Sequence, residues 1–506
     1  MNSMKTTKVP ADAGSTCSNH AGARVDRDAW PTMASGRPIR QSGGALVDRE
    51  PAVASARPSR PARVANRAEA AGRSMHSTYA VVLAGGRGSR LSPLSDRCAK
   101  PAIPFGGNLR LIDFTLSNCI NSGIRRIGVL TQYKAQRLIG HITQAWGFLS
   151  ANLGEFVEVL PAQQQNGTGW YSGTADAVYQ NLEMLRDADP AFVLVLAGDH
   201  VYKMDYGALV AEHARRGAQV TIACVEAPLA AASAFGVVGI DDRGRVTSFD
   251  EKPVDPCPVT GRTDCALVSM GVYVFDAAFL YRELARDAAD ASSCHDFGRD
   301  IIPGVLGRAR VFAHDYASSC VGMAPGRGPY WRDVGTLDAY WEASMDLVRP
   351  RAELDLYDDA WPIRGMRDHL PPARFESADD GHRGAALDSL VTSGCVVSGA
   401  TVRRSILFPK VRVGDGSLVE DAVLLPGTIV GRDVVVRRAI VGEGCVLPDG
   451  IRIGMCPMED RARFALTDKG VVVVTASMLE AACALSGRPV GRSDGPRRAI
   501  PATSSP

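Results

Sequence analysis

The sequence has almost no excess of charge of either sign. Its 506 residues include 57 Lys and Arg and 55 Asp and Glu, for a formal net charge of +2. Such a balance lacks the global basic field that draws proteins to nucleic acid, so no nucleic-acid partner is expected. Long apolar runs are missing too. Because none approaches the roughly 18–20 residues that span a bilayer, no membrane partner is expected either.

The cysteines follow no spacing pattern of a known metal or disulfide site. The twelve cysteines form no CxxC pair and no cysteine–histidine cluster with zinc-site spacing. This scatter is typical of free thiols in a reducing compartment rather than of a disulfide framework. We therefore expect a cytoplasmic protein in which most cysteines act as small buried apolar residues.

Two common phosphate-binding loops are also absent. No GxxxxGK string followed by Ser or Thr occurs, which excludes a P-loop. A dinucleotide-binding loop needs GxGxxG at the start of a helix. Here Gly86 and Gly88 are followed by Ser-Arg-Leu, so the third glycine is missing.

What the sequence does have is the stretch AVVLAGGRGSRLSPLSDRCAKP, which passes from an apolar strand into glycine and positive charge. It matches the loop of sugar-nucleotide transferases, GGxGxRLxPL followed by KP, at Gly85, Gly86, Gly88, Arg90, Leu91, Pro93, Leu94, Lys100 and Pro101. Glycines let backbone N–H groups approach a nucleotide closely. The cations Arg90 and Lys100 suit a triphosphate and its leaving pyrophosphate. A generic strand-to-helix turn is the alternative.

The chain divides into three regions that differ in composition and in the spacing of apolar residues. Residues 1–76 are rich in Ala, Arg, Ser, Pro and Gly, poor in acids and without apolar periodicity. This composition predicts disorder, with a transit peptide or a mis-set start ahead of Met75 as alternatives. Residues 77–354 contain short apolar runs such as YAVVLAG, RIGVLT, FVLVLAGD, QVTIACV and MGVYVFD, separated by helical stretches. Strands that are apolar on both faces are typical of a parallel α/β sheet covered on both sides.

The third region, residues 389–475, contains a six-residue repeat. Apolar residues recur every five or six positions, at Val397, Val402, Leu407, Val413, Val419, Leu425, Val430, Val436, Val441, Leu447 and Ile453. This spacing predicts a parallel β-helix, whereas a β-sandwich, the alternative, would alternate with period two. Residues 355–388 are interpreted as a linker, and residues 476–506 as a C-terminal helix and a flexible tail.

Together these segments resemble the bacterial-type glucose-1-phosphate adenylyltransferases, or ADP-glucose pyrophosphorylases, over about residues 78–475. The resemblance is carried by LAGGRGSRL, AKPAIPFGG, WYSGTADAVYQN, LAGDHVYKMDY, FDEKP and YWRDVGTLDAYW. It implies an α/β fold: a Rossmann-like nucleotidyltransferase domain with a mostly parallel mixed sheet, followed by a C-terminal left-handed parallel β-helix. It also implies transfer of the adenylyl group of ATP to α-D-glucose 1-phosphate, the first committed step of glycogen biosynthesis.

The resemblance assigns roles to individual residues. The catalytic set is Arg90, Lys100 and Asp199. The Mg²⁺ ligands are Asp199 and Asp333. The nucleotide site comprises Leu83, Gly85, Gly86, Gly88, Gln163, Gln164, Gly173 and Asp176. The glucose 1-phosphate site comprises Tyr171, Gly236, Glu251, Lys252 and Ser269.

For some of these residues, an ordinary structural role is the alternative to the functional one. Asp199 ends an apolar strand, where a carboxylate faces the usual ligand crevice of a parallel sheet, but it could equally cap a helix. Glu251 and Lys252 would ordinarily form a surface ion pair, and Tyr171 would be a core aromatic. The glutamine amides suit an adenine edge or a turn cap. For His200 a structural role is expected.

The mechanism needs no general base, because the phosphate oxygen of glucose 1-phosphate is already anionic when it attacks the α-phosphorus of ATP in line. The resemblance further implies a homotetramer controlled by a glycolytic metabolite that binds between the two domains. The candidate effector residues are Arg97, Arg110, Arg437 and Arg438. Cys98 and Pro104 depart from the family pattern there, so fructose 1,6-bisphosphate, fructose 6-phosphate and pyruvate all stay open as activators.

Two other functions compete with this one. A non-catalytic regulatory subunit would lose catalytic charges, yet Arg90, Lys100, Asp199, Lys252 and Asp333 are all present. A nucleotidyltransferase that uses UTP or dTTP would keep those charges, although LPAQQ and WYSGTADA favour ATP.

Overall fold

The structure is a computed structural model that describes residues 75–162, 170–323, 326–366, 369–378 and 381–486. The predicted N-terminal extension lies outside these residues except for Met75 and His76, and so does the predicted tail after residue 486.

The α/β domain follows the alternation of strands and helices expected from the sequence, and each of the five apolar runs forms a strand. Its strands are β1 Thr78–Leu83, β2 Pro104–Phe105, β3 Leu109–Arg110, β4 Arg126–Thr131, β5 Phe156–Pro161, β6 Phe192–Ala197, β7 His200–Tyr202, β8 Val220–Pro228, β9 Gly236–Ile240, β10 Val246–Glu251, β11 Cys265–Asp276, β12 Val311–Asp315 and β13 Trp331–Asp333. Its helices are α1 Leu111–Asn121, α2 Gln136–Ala145, α3 Thr174–Tyr179, α4 Leu182–Ala188, α5 Tyr206–Arg216, α6 Leu229–Ala232, α7 Ala277–Ala288, α8 Ile302–Val305 and α9 Leu337–Asp346. Short 3₁₀ turns occur at Ser89–Leu91, Leu94–Asp96, Lys100–Ala102, Ala151–Leu153 and Tyr316–Ser318, and a π turn at Phe297–Ile301.

The main sheet is mixed, as predicted. Its strands run in the order β10-β9-β11-β6-β1-β4-β5, with β8 joined to β11 and β12 to β8. The strands β6, β1, β4 and β5 are parallel neighbours. By contrast, β11 runs antiparallel to β6, β8 and β9. One half of the sheet is therefore parallel throughout, whereas in the other half the β8–β12 pair is parallel and the pairs of β11 are antiparallel. Burial on both faces makes a strand apolar whichever way it runs.

Two hydrophobic cores cover the sheet, one on each face. Ala80 and Val82 of β1 belong to one core, whereas Tyr79 and Val81 belong to the other. All four side chains are at most 1% exposed. Successive residues of a strand point to opposite faces, so the continuous apolar run of β1 reflects burial on both sides.

The second domain is the predicted parallel β-helix. Its strands are β14 Arg374–Glu376, β15 Ala385–Leu387, β16 Leu390–Val391, β17 Val396–Ser398, β18 Thr401–Arg403, β19 Ile406–Leu407, β20 Arg412–Val413, β21 Leu418–Glu420, β22 Val423–Leu424, β23 Ile429–Val430, β24 Val435–Arg437, β25 Ala439–Val441, β26 Val446–Leu447, β27 Arg452–Ile453, β28 Ala465–Leu466 and β29 Val472–Val474, and its helices are α10 Pro457–Arg463 and α11 Ala476–Ser486. They stack into three sheets that are parallel except for the β28–β29 pair.

The repeat that predicted the β-helix coincides with its interior. Val402 pairs with Val419, Val419 with Val436, and Val436 with Ile453. All eleven repeat positions named above are buried. The β-helix begins earlier than residue 389, however, because β14 and β15 already pair with β17 and β18. The end of the predicted linker is thus the first coil.

The start of the predicted linker packs on the α/β domain. Asp358 forms an ion pair with Lys203, and the Trp361 indole donates to Asn118 of α1. The two domains also meet through α9, where the Trp341 indole donates to the carbonyl of Asp421 at 2.9 Å. Within the described ranges, no helix combines the length and the apolar character needed to cross a bilayer.

Candidate active site

The glycine loop follows β1 at the carboxyl end of the parallel strands. Gly88 has a φ of +60°, in the left-handed region that favours glycine. Its carbonyl accepts a hydrogen bond from the Ser95 hydroxyl at 2.8 Å. A Cβ at Gly88 would lie 3.0 Å from the Cβ of Lys100. A side chain at this position would therefore press on the lysine that the sequence assigned to catalysis.

The two predicted metal-binding aspartates come together next to this loop. Asp199 follows β6 after Gly198, where a Cβ would lie 2.9 Å from Val82 of β1. The next strand, β7, pairs antiparallel with β13, so that His200 stands opposite Asp333. The close packing of a glycine and one short strand pair thus place both carboxylates at the same end of the sheet.

Lys100 lies between the two aspartates. Its ammonium is 3.0 Å from Asp199 Oδ2 and 2.9 Å from Asp333 Oδ1. The lysine side chain is only 9% exposed, against 27% for Asp199 and 21% for Asp333. A buried cation is thus enclosed by two carboxylates that stay open to a ligand.

The charges in this cluster stabilise one another. Burial opposes the charged form of Lys100, but the carboxylates of Asp199 and Asp333 raise its pKa above the ordinary value. Burial likewise opposes ionisation of Asp199, but Lys100 and His200 hold the pKa of that carboxyl below its ordinary value. At neutral pH the cluster therefore contains an ammonium and an ionised Asp199.

His200 completes the cluster. Its Nε2 lies 3.6 Å from Asp199 Oδ1 and 3.6 Å from Asp333 Oδ1. Its ring packs edge-on against Trp331 at 5.3 Å, and its buried Nδ1 has no hydrogen-bond partner among the described residues. The ring therefore lies near both acids at a distance too long for a tight hydrogen bond to either.

The arrangement fits a hard divalent cation. Carboxylate oxygens are the ligands that Mg²⁺ prefers, and this ion usually takes one or two of them together with substrate phosphates. The two aspartates already hold a cationic group between them, which shows that they can share one charge partner. Among the described residues there is no group of three or more His, Cys, Asp and Glu able to enclose a metal alone.

A second group of predicted residues forms at the end of β10. Glu251 pairs with Gly236 across β9 and β10, and a Cβ at Gly236 would lie 2.9 Å from Glu251 Oε2. Gly298 approaches the same oxygen, since a Cβ there would lie 2.6 Å away. Lys252 Nζ is 2.6 Å from Glu251 Oε1, and its side chain is 53% exposed. The missing side chains thus let Gly236 pack against the Phe249 ring and let both glycines approach one carboxylate closely, beside an exposed ammonium.

Ser269 occupies the bend of β11. Its buried hydroxyl donates to the Tyr273 hydroxyl at 3.2 Å and accepts from the Gly271 N–H at 3.2 Å. The residue before Gly236, Phe235, packs against Trp331 at 5.1 Å. Because Trp331 also contacts His200, an aromatic chain links this region to the aspartate cluster.

The third group surrounds α3. The Tyr171 hydroxyl accepts from Asn181 at 3.1 Å. Asp176 Oδ2 accepts from the Ser172 backbone N–H and hydroxyl at 2.8 and 2.9 Å. This carboxylate therefore orders the turn before α3. Gln163 and Gln164 lie outside the described residues.

Gly173 is fixed by packing. A Cβ there would lie 2.2 Å from the carbonyl oxygen of His295, which accepts a hydrogen bond from the Ala175 N–H.

In the glycine loop, a Cβ at Gly85 would lie 3.2 Å from the Cβ of Gln132, whereas one at Gly86 would meet nothing within 4 Å. Leu83 ends β1, and its carbonyl accepts from the N–H of the residue before Asp199.

The four candidate effector residues occupy different places. Arg97 and Arg110 line two cavities at the boundary between the α/β domain and the β-helix. Arg437 forms an ion pair with Glu420. Arg438 lies 4.5 Å from the ring centre of Trp341 and donates to a backbone carbonyl. The latter two line neither cavity.

Sequence reasoning missed several polar residues of these regions. Gln132 follows directly after β4, at the sheet edge where Asp199 follows β6, and that position was a signal that could have found it. The ion pair of Arg137 with Glu443 joins the two domains at the cavities. Neither partner belongs to a motif, so no sequence signal marked them.

Comparison with known proteins agrees with both domains. A family model described as "Nucleotidyl transferase" matches residues 79–349, and one described as "GlmU-like, C-terminal hexapeptide" matches residues 371–474. A protein named glucose-1-phosphate adenylyltransferase from Nitrosospira multiformis is 56% identical over 403 residues, covering 80% of this chain and 95% of the relative. Proteins of the same name from Nitrosomonas europaea and Albidiferax ferrireducens are 55% and 53% identical, with 80% and 81% of this chain and 93% and 97% of each relative covered.

Proposed function

The chain belongs to the glucose-1-phosphate adenylyltransferase family, and from this premise we propose that the crevice around Lys100, Asp199 and Asp333 is where its substrates react. The protein transfers the adenylyl group of ATP to α-D-glucose 1-phosphate and releases pyrophosphate, a reaction of glycogen biosynthesis. The observation that supports this crevice is the contact of one buried lysine with both aspartates, beside the glycine loop.

In this proposal the triphosphate lies over the glycine loop. Gly85, Gly86 and Gly88 leave their backbone N–H groups free of covering side chains, and Arg90 and Lys100 supply positive charge. Phosphoryl-type transfer depends mainly on positioning and on neutralising charge that develops at the phosphates. We therefore assign Lys100 and Arg90 to stabilising the departing pyrophosphate.

Nucleotidyltransferases generally use a divalent metal ion, and we propose that here it is Mg²⁺ held by Asp199 and Asp333. When bound by these two aspartates, such an ion would act as a Lewis acid that offsets negative charge at the phosphates. The ionised state of Asp199 is maintained by Lys100 and His200. The protein thus keeps this ligand ready to bind a cation at neutral pH.

Glucose 1-phosphate is proposed to bind at the end of β10. The exposed Lys252 ammonium is suited to the phosphate and the Glu251 carboxylate to sugar hydroxyls, while Gly236 approaches that carboxylate without a side chain of its own. Ser269 and Tyr171 are proposed to contribute polar contacts on either side. The attacking phosphate oxygen carries its own negative charge, so these residues orient it toward the α-phosphorus without removing a proton.

The adenine is proposed to lie on the side of α3. Gly173 and Asp176 shape this wall, since packing fixes the glycine and the carboxylate orders the turn. Leu83 lies at the adjoining end of β1, and Gln163 and Gln164 are the proposed partners of the base. An amide pair of this kind can read a donor and an acceptor on adenine.

We propose that residues 77–354 are the catalytic domain and that the β-helix over 389–475, extended by its earlier first coil, is regulatory. Arg97 and Arg110 are the proposed contacts for a glycolytic effector, because they line cavities between the domains. A homotetramer and a cytoplasmic location are further proposals from the family. Arg437 and Arg438 are retained as weaker effector candidates.

A nucleotide-selectivity assay tests the function. Pyrophosphate release from glucose 1-phosphate is measured with ATP, UTP and dTTP for the wild type, Asp199→Asn and Glu376→Gln. Glu376 belongs to the first coil of the β-helix and is a control remote from the proposed crevice. We expect turnover with ATP only, a fall of about 10²–10³-fold in Asp199→Asn and none in the control.

Each other outcome has a definite meaning. Turnover with UTP or dTTP in preference to ATP would support the second nucleotide alternative. No turnover with any nucleotide would support the regulatory subunit. Full activity in Asp199→Asn would remove this aspartate from the proposed metal site.

A further inference from the structure

A short segment, residues 294–298, contacts both proposed substrate sites. At one end, the His295 carbonyl accepts a hydrogen bond from the Ala175 N–H at 2.8 Å, in the first turn of α3. This turn belongs to the wall proposed for adenine. At the other end, a Cβ at Gly298 would lie 2.6 Å from Glu251 Oε2, in the site proposed for glucose 1-phosphate. One segment therefore connects the two sites.

A side-chain contact reinforces this connection. The Thr174 hydroxyl donates to Asp296 Oδ2 at 3.0 Å and accepts from the Phe297 N–H at 3.0 Å. The other oxygen of Asp296 accepts from the Gly298 N–H at 2.9 Å. The first residue of α3 is thus bonded directly to the turn that packs beside Glu251.

His295 has an unusual backbone conformation. Its φ is +54°, in the left-handed region that residues other than glycine rarely adopt. Such a conformation persists only where the surroundings hold it. Here the ring Nδ1 donates to Asp287 Oδ2 at 2.9 Å. The His295 N–H donates to the Ser293 hydroxyl, which itself donates to Asp287 Oδ1 at 2.6 Å. One carboxylate therefore fixes the direction of the His295 carbonyl.

The carboxylate that holds His295 has a close counterpart on the same helix. Asp287 lies in the last turn of α7, outside both proposed substrate sites, and its side chain is 9% exposed. Glu283 lies one turn earlier, is also 9% exposed and forms an ion pair with Arg308 at 2.5 Å. The two acids share a helix and a degree of burial, but Asp287 holds His295 whereas Glu283 holds Arg308.

We propose that His295 is a positioning residue for adenylyl transfer, held by Asp287 and acting through its backbone carbonyl. It keeps the adenine wall at a fixed distance from the glucose 1-phosphate site, so that the phosphate oxygen meets the α-phosphorus in line. A misplacement of about 1 Å between reacting groups can lower a rate by about 10²-fold. This inference rests on the two substrate sites of the proposed function, and it adds the residue that sets their spacing.

The proposal predicts a specific kinetic change. Each site has its own binding groups, so weakening the connection leaves both substrates bound but misaligned. A lost substrate contact would raise the KM of that substrate. A purely structural loss would lower the thermal midpoint and leave the turnover of the folded enzyme unchanged. Loss of the connection should instead lower kcat and leave both KM values close to those of the wild type.

The test compares Asp287→Ala and His295→Ala with the matched control Glu283→Ala in the full-length protein. The measurements are kcat, both KM values for ADP-glucose formation, and the thermal midpoint. We expect kcat to fall by about 10–10²-fold in the first two variants and to stay at the wild-type value in the control. The double variant should be no slower than either single one, because both changes remove the same contact.

His295→Asn is the conservative variant. Asparagine tolerates the left-handed region better than most residues, and its amide is able to donate to Asp287. It should therefore recover most of the kcat that His295→Ala loses. A kcat in His295→Asn as low as that of His295→Ala would overturn the proposal. So would a raised KM with an unchanged kcat in Asp287→Ala.

Hydrogen exchange gives a readout that needs no turnover. Because the Ala175 amide donates to the His295 carbonyl, it should exchange faster in Asp287→Ala than in Glu283→Ala. Faster exchange in a protein whose wild type forms no ADP-glucose would refute the proposed function and leave the hold of Asp287 on His295 in place. An active wild type with equal kcat in Asp287→Ala and Glu283→Ala would overturn the inference and leave the proposed function in place.

Discussion

Replacing Lys100 by methionine isolates the role of the buried cation, because the substitution preserves the stem of the side chain and removes its ammonium. In the wild type this ammonium lies 3.0 and 2.9 Å from two carboxylates. Removing one partner of a buried ion pair costs about 3–5 kcal/mol. Both aspartates retain some contact with solvent, which screens them, so we expect a loss of about 2–3 kcal/mol.

Catalysis should suffer more than stability. Removing one group that stabilises developing charge lowers turnover by about 10²–10³-fold, and Lys100→Met should fall in this range. Since the two carboxylates then lack a cation, Mg²⁺ should raise the thermal midpoint of the variant more than that of the wild type. Thermal unfolding over a range of Mg²⁺ concentrations measures this difference.

Lys203→Met is the matched control. Lys203 is also a buried lysine, and among the described residues it forms one ion pair, with Asp358 of the predicted linker. The control should lose stability, retain turnover and show no added response to Mg²⁺. Turnover within tenfold of the wild type in Lys100→Met would refute the reasoning. An equal loss of turnover in both variants would do so too, by attributing the effect to general destabilisation.

Three further predictions follow from single positions. Gly173→Ala should lower the thermal midpoint because its Cβ would meet a carbonyl oxygen at 2.2 Å, whereas Gly86→Ala, with open space around it, should affect KM for ATP and leave stability unchanged. Burial lowers the pKa of His213 to about 4, so the unfolded chain binds the proton first. The free energy of unfolding should then fall as the pH drops from about 6.5 toward 4, by up to about 1.4 kcal/mol per pH unit, and His213→Gln should remove that part of the slope in denaturant titrations. Arg97→Gln should change the response to a phosphorylated effector, whereas Arg437→Gln, which breaks only an ion pair within the β-helix, should not. An equal response of the two arginine variants would count against the cavity as the effector site.

The β-helix was the part of the fold most accessible from the sequence. Each coil repeats the same inward-facing positions, so a local spacing reports a global architecture. The direction of the central strands was not accessible in this way. Strands β8 and β11 are buried and apolar over most of their length, like β1, yet β11 is antiparallel to its neighbours. Hydrophobic patterning reports burial, and nothing in it distinguishes the two directions.

In the candidate site too, the individual residues could be predicted from the sequence, whereas their contacts could not. Motifs marked Asp199 and Asp333 one at a time, because each stands in a distinctive string. Their proximity depends on the pairing of β7 with β13, two strands of three residues each, which are too short for a periodic signal. The ion pair of Arg137 with Glu443 had no motif at all. Contacts between segments that are distant in the sequence and carry no motif depend on how whole helices and strands pack. A short stretch of sequence holds no information about that packing.

In the proposed function, the position of Lys100 connects the catalytic crevice with the candidate effector residues. Its 3₁₀ turn, Lys100–Ala102, lies between Arg97 and Arg110, which line the domain boundary. The Arg110 guanidinium donates to Ala102, so this arginine holds the end of the turn that carries the lysine. An anion that draws Arg110 into the cavity must weaken that hydrogen bond and change how firmly Lys100 is held between the aspartates. Because the lysine contacts both acids, we expect even a small displacement of Lys100 to alter the charge at the proposed phosphate site and so to change turnover.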